Sequence, residues 1–211
     1  MDALASVFIW LDYAAVAVFA ATGAMAAAQR KHDFVTFAFF AAVTGVGGGT
    51  MRDLLLDAPV FWVNRPDYLV VCVLAALAVW VFGTGQARLK VLLWLDALGM
   101  AAYSVVGAAK AISLGAPPIS AIVMGVLTAC FGGIIRDVLA EEPSVLLRRE
   151  LYVSCAVIGA AAFVALEALG LSDVSAGMGG FAAAFLMRGA AIYWGLMLPS
   201  FPGRGRGKTD G

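Results

Sequence analysis

The sequence predicts an all-α membrane protein of seven transmembrane helices, built as two inverted triple-helix repeats plus a seventh helix. Three observations carry that expectation. The 211 residues are 63% hydrophobic and 13% charged, with a mean hydropathy of +0.94, more apolar surface than a soluble domain of this size can bury. Apolar runs of about twenty residues, long enough to cross a hydrocarbon layer of about 30 Å at the helical rise, occur seven times. The chain also repeats itself, without a gap, at an offset of 84.

The runs cover about 6–28, 34–57, 67–83, 90–111, 117–139, 150–170 and 174–198. None shows the strict alternation of a transmembrane β-strand, so a helical bundle follows. The first run is preceded by Asp2 and no basic stretch, which reads as a retained span rather than a cleaved leader. Basic residues cluster after the odd-numbered spans, at Arg30 and Lys31, Arg88 and Lys90, Arg148 and Arg149, and Arg204, Arg206 and Lys208. The positive-inside rule then puts the N-terminus outside and the C-terminus in the cytoplasm of a multi-pass arrangement. Residues 1–198 form one membrane domain, with repeat 1 at about 6–83, repeat 2 at about 90–170 and the seventh helix at about 174–198. Residues 199–211 read as a disordered cytoplasmic tail whose basic character suits anionic membrane lipid.

The repeat rests on matches that small residues alone would not give. "WLD" at 10–12 recurs at 94–96, Gly23-Ala24 as Gly107-Ala108, Thr44 as Thr128, Gly48-Gly49 as Gly132-Gly133 and Arg52-Asp53 as Arg136-Asp137. Leu55, Pro59, Arg65 and Tyr68 recur as Leu139, Pro143, Arg149 and Tyr152. Each copy holds three spans, an odd number, so successive copies enter the membrane from opposite sides and are related by a pseudo-twofold axis in its plane. The seventh helix is an unpaired addition.

Spans two and five carry the chemistry, in "GVGGGTMRDLL" (45–55) and "ACFGGIIRDVL" (129–139). Runs of glycine permit a kink or local unwinding, and carbonyls freed that way must face protein or water, never lipid. Close helix packing through small residues is the competing explanation. Two copies, each a turn before an Arg-Asp pair, favour a polar pathway. An ionisable residue at a span's centre costs about 2.5–3.5 kcal/mol on insertion scales, so these groups need partners. Asp12 with Arg52 and Asp96 with Arg136 are expected as structural ion pairs. Asp53 and Asp137, about 100° round the helix from their arginines, are then expected to face the pathway and attract cations. Arg188 has no counterpart in the repeat and is expected to meet Asp137 or Asp53, with the Tyr13 hydroxyl nearby. That constellation is either an openable gate of Tyr13, Arg188 and Asp137 or a permanent bridge.

The remaining features point elsewhere. Lys110 and Glu167 lie near span ends, where snorkelling explains them. His32 sits in the basic "QRKHD" loop as a solvated residue. Cys72, Cys130 and Cys155 lie in apolar runs with no metal-ligand or redox spacing. No enzyme motif is present, and "GVGGGT" lacks the lysine of a phosphate-binding loop. No catalytic residue, metal site, resident cofactor or nucleic-acid partner is expected.

With "GGGTMRDLL" and "FGGIIRDVL" on spans two and five, two triple-helix repeats and a seventh helix, the chain resembles the bacterial branch of the trimeric intracellular cation channel family, also labelled a glycine-transporter domain family. The resemblance covers about residues 6–198. It implies a homotrimer in a bacterial inner membrane, with a separate pore through each protomer, lined by kinked second and fifth helices and permeable to monovalent cations, chiefly potassium, with sodium as a further permeant ion. Gly47, Gly48, Gly49, Gly132 and Gly133 would be the kink positions. Animal relatives bind phosphoinositide through basic residues on the fifth helix, where this chain keeps only Arg136. A secondary transporter for a small substrate such as glycine is the alternative function, since broken helices serve that mechanism too.

Overall fold

The computed structural model describes residues 2–83, 88–142 and 151–197. Pro143, Arg148, Arg149 and the tail at 199–211 lie outside the described residues. Helices α1 (Asp2–Gln29), α2 (Phe34–Leu55), α3 (Phe61–Asn64) and α4 (Asp67–Phe82) make the first half. Helices α5 (Arg88–Ser113), α6 (Pro118–Leu139) and α7 (Val153–Ala168) make the second, and α8 (Asp173–Trp194) follows.

Local sequence sets several of the helix ends. Asp33 caps α2, its carboxylate accepting from the Thr36 amide at 2.9 Å. That bond holds the Asp33 carboxyl below its ordinary range. Ser172 caps α8 in the same way, and α6 opens on Pro118, where a missing amide hydrogen costs nothing. Lys31 and Gly115 stand at positive φ just past α1 and α5, and Asp57 and Glu141 just past α2 and α6. Each residue of either pair is 84 positions from the other, so the two halves close the same helices with the same left-handed turn.

Five helices contain stretches long and apolar enough to cross a membrane: Ile9–Gln29, Phe34–Leu55, Leu89–Ser113, Pro118–Leu139 and Asp173–Trp194. Helices α4 and α7 are apolar but only 16 residues each, about 24 Å at the helical rise. These segments fall short of the expected full spans. The small helix α3, between spans two and three, is an element the hydropathy pattern does not reveal.

Packing repeats as the sequence does. Helix α1 contacts α2 and α4, which contact each other, and α5 contacts α6 and α7 in the same way. Across the halves α1 meets α5 and α2 meets α6, while α8 lies on α5 and α7. The pseudo-twofold axis passes between Phe19 and Tyr103, equivalent residues whose rings stack on each other at 5.4 Å.

The glycines of spans two and five do not break their helices, because α2 and α6 run unbroken through Gly47–Gly49 and Gly132–Gly133. The expected unwinding is therefore corrected. A Cβ on Gly48 would lie 2.1 Å from the Thr128 carbonyl oxygen, and one on Gly132 would lie 2.5 Å from that of Thr44. Glycine is required here for close approach of α2 to α6. Gly47 meets Ile135, Gly49 lies under the Phe61 ring and Gly133 faces the Tyr152 hydroxyl.

Candidate functional site

Two buried charge clusters flank the α2–α6 contact, one in each half. In the first, Arg52 on α2 donates from Nε to Asp53 Oδ1 at 2.8 Å, with its Nη2 also 2.8 Å away. Lys110, on α5, places Nζ 2.8 Å from the same oxygen. Asp53 Oδ2 accepts from the Phe61 amide at 3.0 Å, and Trp62 Nε1 donates to Thr50 Oγ1 at 2.9 Å. Thus α3 is tied down on α2, with the Phe61 ring 5.9 Å from the Arg52 guanidinium.

Asp12 is not in an ion pair with Arg52. Its carboxylate accepts from the Tyr68 hydroxyl at 2.7 Å, while Arg52 turns to its own neighbour. The correction has a simple cause. Adjacent helical residues point about 100° apart, but an arginine stem is long enough to fold its head back onto the next side chain. In a dry interior that spares both charges a far larger desolvation cost. For the same reason Asp53, wholly buried, is no free carboxylate facing a cavity.

The second cluster follows the first in outline. Arg136 on α6 donates from Nε to Asp137 Oδ1 at 2.9 Å and from Nη1 to Asp96 Oδ1 at 2.6 Å. Its Nη1 also reaches Thr22 Oγ1 at 3.1 Å. Here Asp96 and Arg136 do meet, and Asp137, like Asp53, is held by the arginine before it. All three side chains are buried.

Arg188 on α8 lies within this second half. Its Nη1 donates to the Leu151 carbonyl at 3.1 Å, and its guanidinium stands 5.2 Å from the Tyr152 ring centroid. Asp53 takes Lys110 rather than Arg188. Tyr13 is not beside Arg188 either: its hydroxyl donates to Asp67 and accepts from Arg65 Nη2, at 2.7 Å for the latter. Its ring stacks on Tyr68 at 4.2 Å. Tyr13 belongs to the first half, since α1 and α4 pack together there, so the expected gate of Tyr13 and Arg188 is not assembled.

A cavity of about 540 Å³ opens beside the first cluster, with Asp12, Arg52, Phe61, Lys110, Glu167 and Asp173 among its lining. Lys110 is the residue that sequence reasoning missed. Its signal was a departure from the repeat: the residue 84 positions earlier is Ala26. A lysine replacing a core alanine on a packed helix is poorly explained by snorkelling.

Comparison with known proteins now has a geometry to meet. The structure described as the TRIC trimeric intracellular cation channel orthologue from Rhodobacter sphaeroides is 49% identical, with a TM-score of 0.88 over 90% of this chain and 100% of that one. A second structure, described as showing the structural basis for conductance through TRIC cation channels, is 30% identical with a TM-score of 0.81, covering 92% and 97%. The fold, with its duplicated halves, is that of a TRIC cation channel. Among relatives, the UPF0126 inner membrane protein YadS of Escherichia coli K12 is 40% identical over 91% of this chain and 95% of its own length. A UPF0126 membrane protein of Vibrio cholerae is 38% identical over 93% and 83%. The chain belongs to the family whose sequence model is described as Glycine transporter, which matches residues 9–84 and again 93–168. The two matches start 84 residues apart, one on each half. The protein is a multi-pass membrane protein of the TRIC channel class.

Proposed function

We propose that this protein is a potassium-permeable channel for monovalent cations, assembled as a homotrimer with an ion pathway within each protomer. The observation that carries the reading is the 49% identity, over 90% of this chain, to a trimeric intracellular cation channel orthologue. The buried clusters fit that role. Asp12 and Asp53 in one half, and Asp96 and Asp137 in the other, supply carboxylates beside the α2–α6 contact, and a moving cation needs such groups in place of water. Gly47, Gly48 and Gly132 lie on that contact, with Gly49 against Phe61 and Gly133 against Tyr152 beside it. We take the observed packing as the shut form, in which backbone meets backbone at Gly48 and Gly132, and opening as a separation of α2 from α6. The N-terminus lies outside and the C-terminus in the cytoplasm, by the distribution of arginine and lysine. We assign no catalytic role and no resident cofactor.

The family description favours one rival, carriage of glycine. The full-length protein reconstituted in planar bilayers and in potassium-loaded liposomes separates the two. Unitary potassium currents with flux rising linearly with gradient are expected. Saturable glycine counterflow without unitary currents would replace the channel reading by the transporter.

A further inference from the structure

Asp53 is outnumbered. Its Oδ1 lies 2.8 Å from both Arg52 Nη2 and Lys110 Nζ, so one negative charge answers two positive ones. Arg52 is sealed in, but the Lys110 side chain keeps 30% exposure and opens onto the 540 Å³ cavity. The charged groups around that cavity are Asp12 from α1, Arg52 from α2, Glu167 from α7 and Asp173 next to Ser172 at the start of α8. The carboxylates draw cations into the cavity, and Lys110 stands where the cavity meets the buried cluster. By the repeat, the corresponding residue in the other half is Ala26, buried and uncharged.

We propose that Lys110 sets the rate at which cations enter the pathway from this cavity. Its ammonium acts through its charge, which lowers flux. It repels cations within a low-dielectric cleft, where a single charge strongly changes local ion concentration. The inference rests on the channel reading and adds to it a residue that tunes entry from one side.

Single-channel recording of the full-length protein, in patches excised from giant spheroplasts, tests it. In 0.1 M KCl, Lys110→Met is expected to raise unitary conductance about twofold or more for ions entering from the cavity side, and less for the opposite direction. The gain should shrink in 1 M KCl, where the screening length falls from about 10 Å to about 3 Å. Lys110→Arg should behave as wild type. Lys110→Cys gives a test on the assembled protein, because Cys72, Cys130 and Cys155 are buried. A cationic thiol reagent should return the current towards wild type and an anionic one should raise it further, each from one face only. A Lys110→Met current that matches wild type at both salt concentrations, with no directional change, overturns the role of Lys110 and leaves the channel standing. Absence of unitary current in the wild type overturns the channel reading, and this inference with it.

Discussion

A single added methyl group is the sharpest probe of the α2–α6 contact. Gly48→Ala and Gly132→Ala would each push a carbon against a carbonyl of the opposite helix. Overpacking of that kind costs about 1–3 kcal/mol, and the pseudo-symmetry predicts similar losses for the two, read as midpoint temperature in detergent. Ala at Gly83, where nothing lies within 4 Å but φ is +69°, tests backbone strain alone. The arginines should behave differently from each other. Arg136→Met takes from Asp96 and Asp137 a cation they share, and breaking a buried pair costs about 3–5 kcal/mol. Arg52→Met should cost less, because Lys110 still answers Asp53. An Arg52→Met loss left unchanged by adding Lys110→Met would show that Lys110 contributes no compensation. These residues also mark the limit of what spacing reveals. Arg52, Asp53, Arg136 and Asp137 were legible as buried ionisable groups and Arg136 meets Asp96 as expected, but the turn of each arginine onto the aspartate that follows it was not legible. Helical angles describe where a stem starts, whereas a long flexible side chain and the cost of a dry charge decide where it ends.

At the scale of elements, helix ends were easier to foresee than helix interiors. Proline, glycine and capping side chains act over a few residues, so the start of α6 and the stop of α2 follow from sequence. Whether three glycines bend a helix depends on what presses against it, which no local pattern contains. Here α2 stays helical through its glycines, and the opposing helix uses the missing side chains as a slot. The α2 cap gives a pH-dependent prediction. Asp33 has a depressed pKa, so its contribution is complete above the ordinary carboxylate value and is lost as pH falls through the depressed one. Asp33→Asn, which also caps well, should flatten that acid limb of thermal stability while holding the neutral value. Asp33→Ala should lower stability at neutral pH. Helix α3 offers a second measurement. Trp62→Phe removes the bond to Thr50 and should loosen α3, seen as faster amide exchange over Phe61–Asn64 with little change in the exchange of α2.

For the whole molecule, the 84-residue offset was the most informative single reading. It reappears in the matching contacts of α1, α2 and α4 and of α5, α6 and α7, in the repeated left-handed helix ends and in the doubled family match. What it could not forecast is where the halves diverge, because each divergence involves a residue with no twin. Lys110 replaces Ala26, Arg188 has no equivalent, and Arg30 donates to the Ala140 carbonyl at 2.7 Å where its counterpart is Leu114. At this scale the trimer is the testable expectation. Brief cross-linking of the purified full-length protein should stop at a species of three chains, and a ladder ending at two would contradict it.

The stacked pair on the pseudo-axis carries one more consequence. Phe19 and Tyr103 occupy the same place in their respective copies, and they differ by one oxygen. Tyr103 uses it to donate to the Gly45 carbonyl at 3.1 Å, a bond that the phenylalanine cannot return. A scaffold folded from two near-identical copies thereby acquires a front and a back at its very centre. That lone hydroxyl gives one middle helix a bond at the axis for which its twin has no matching donor.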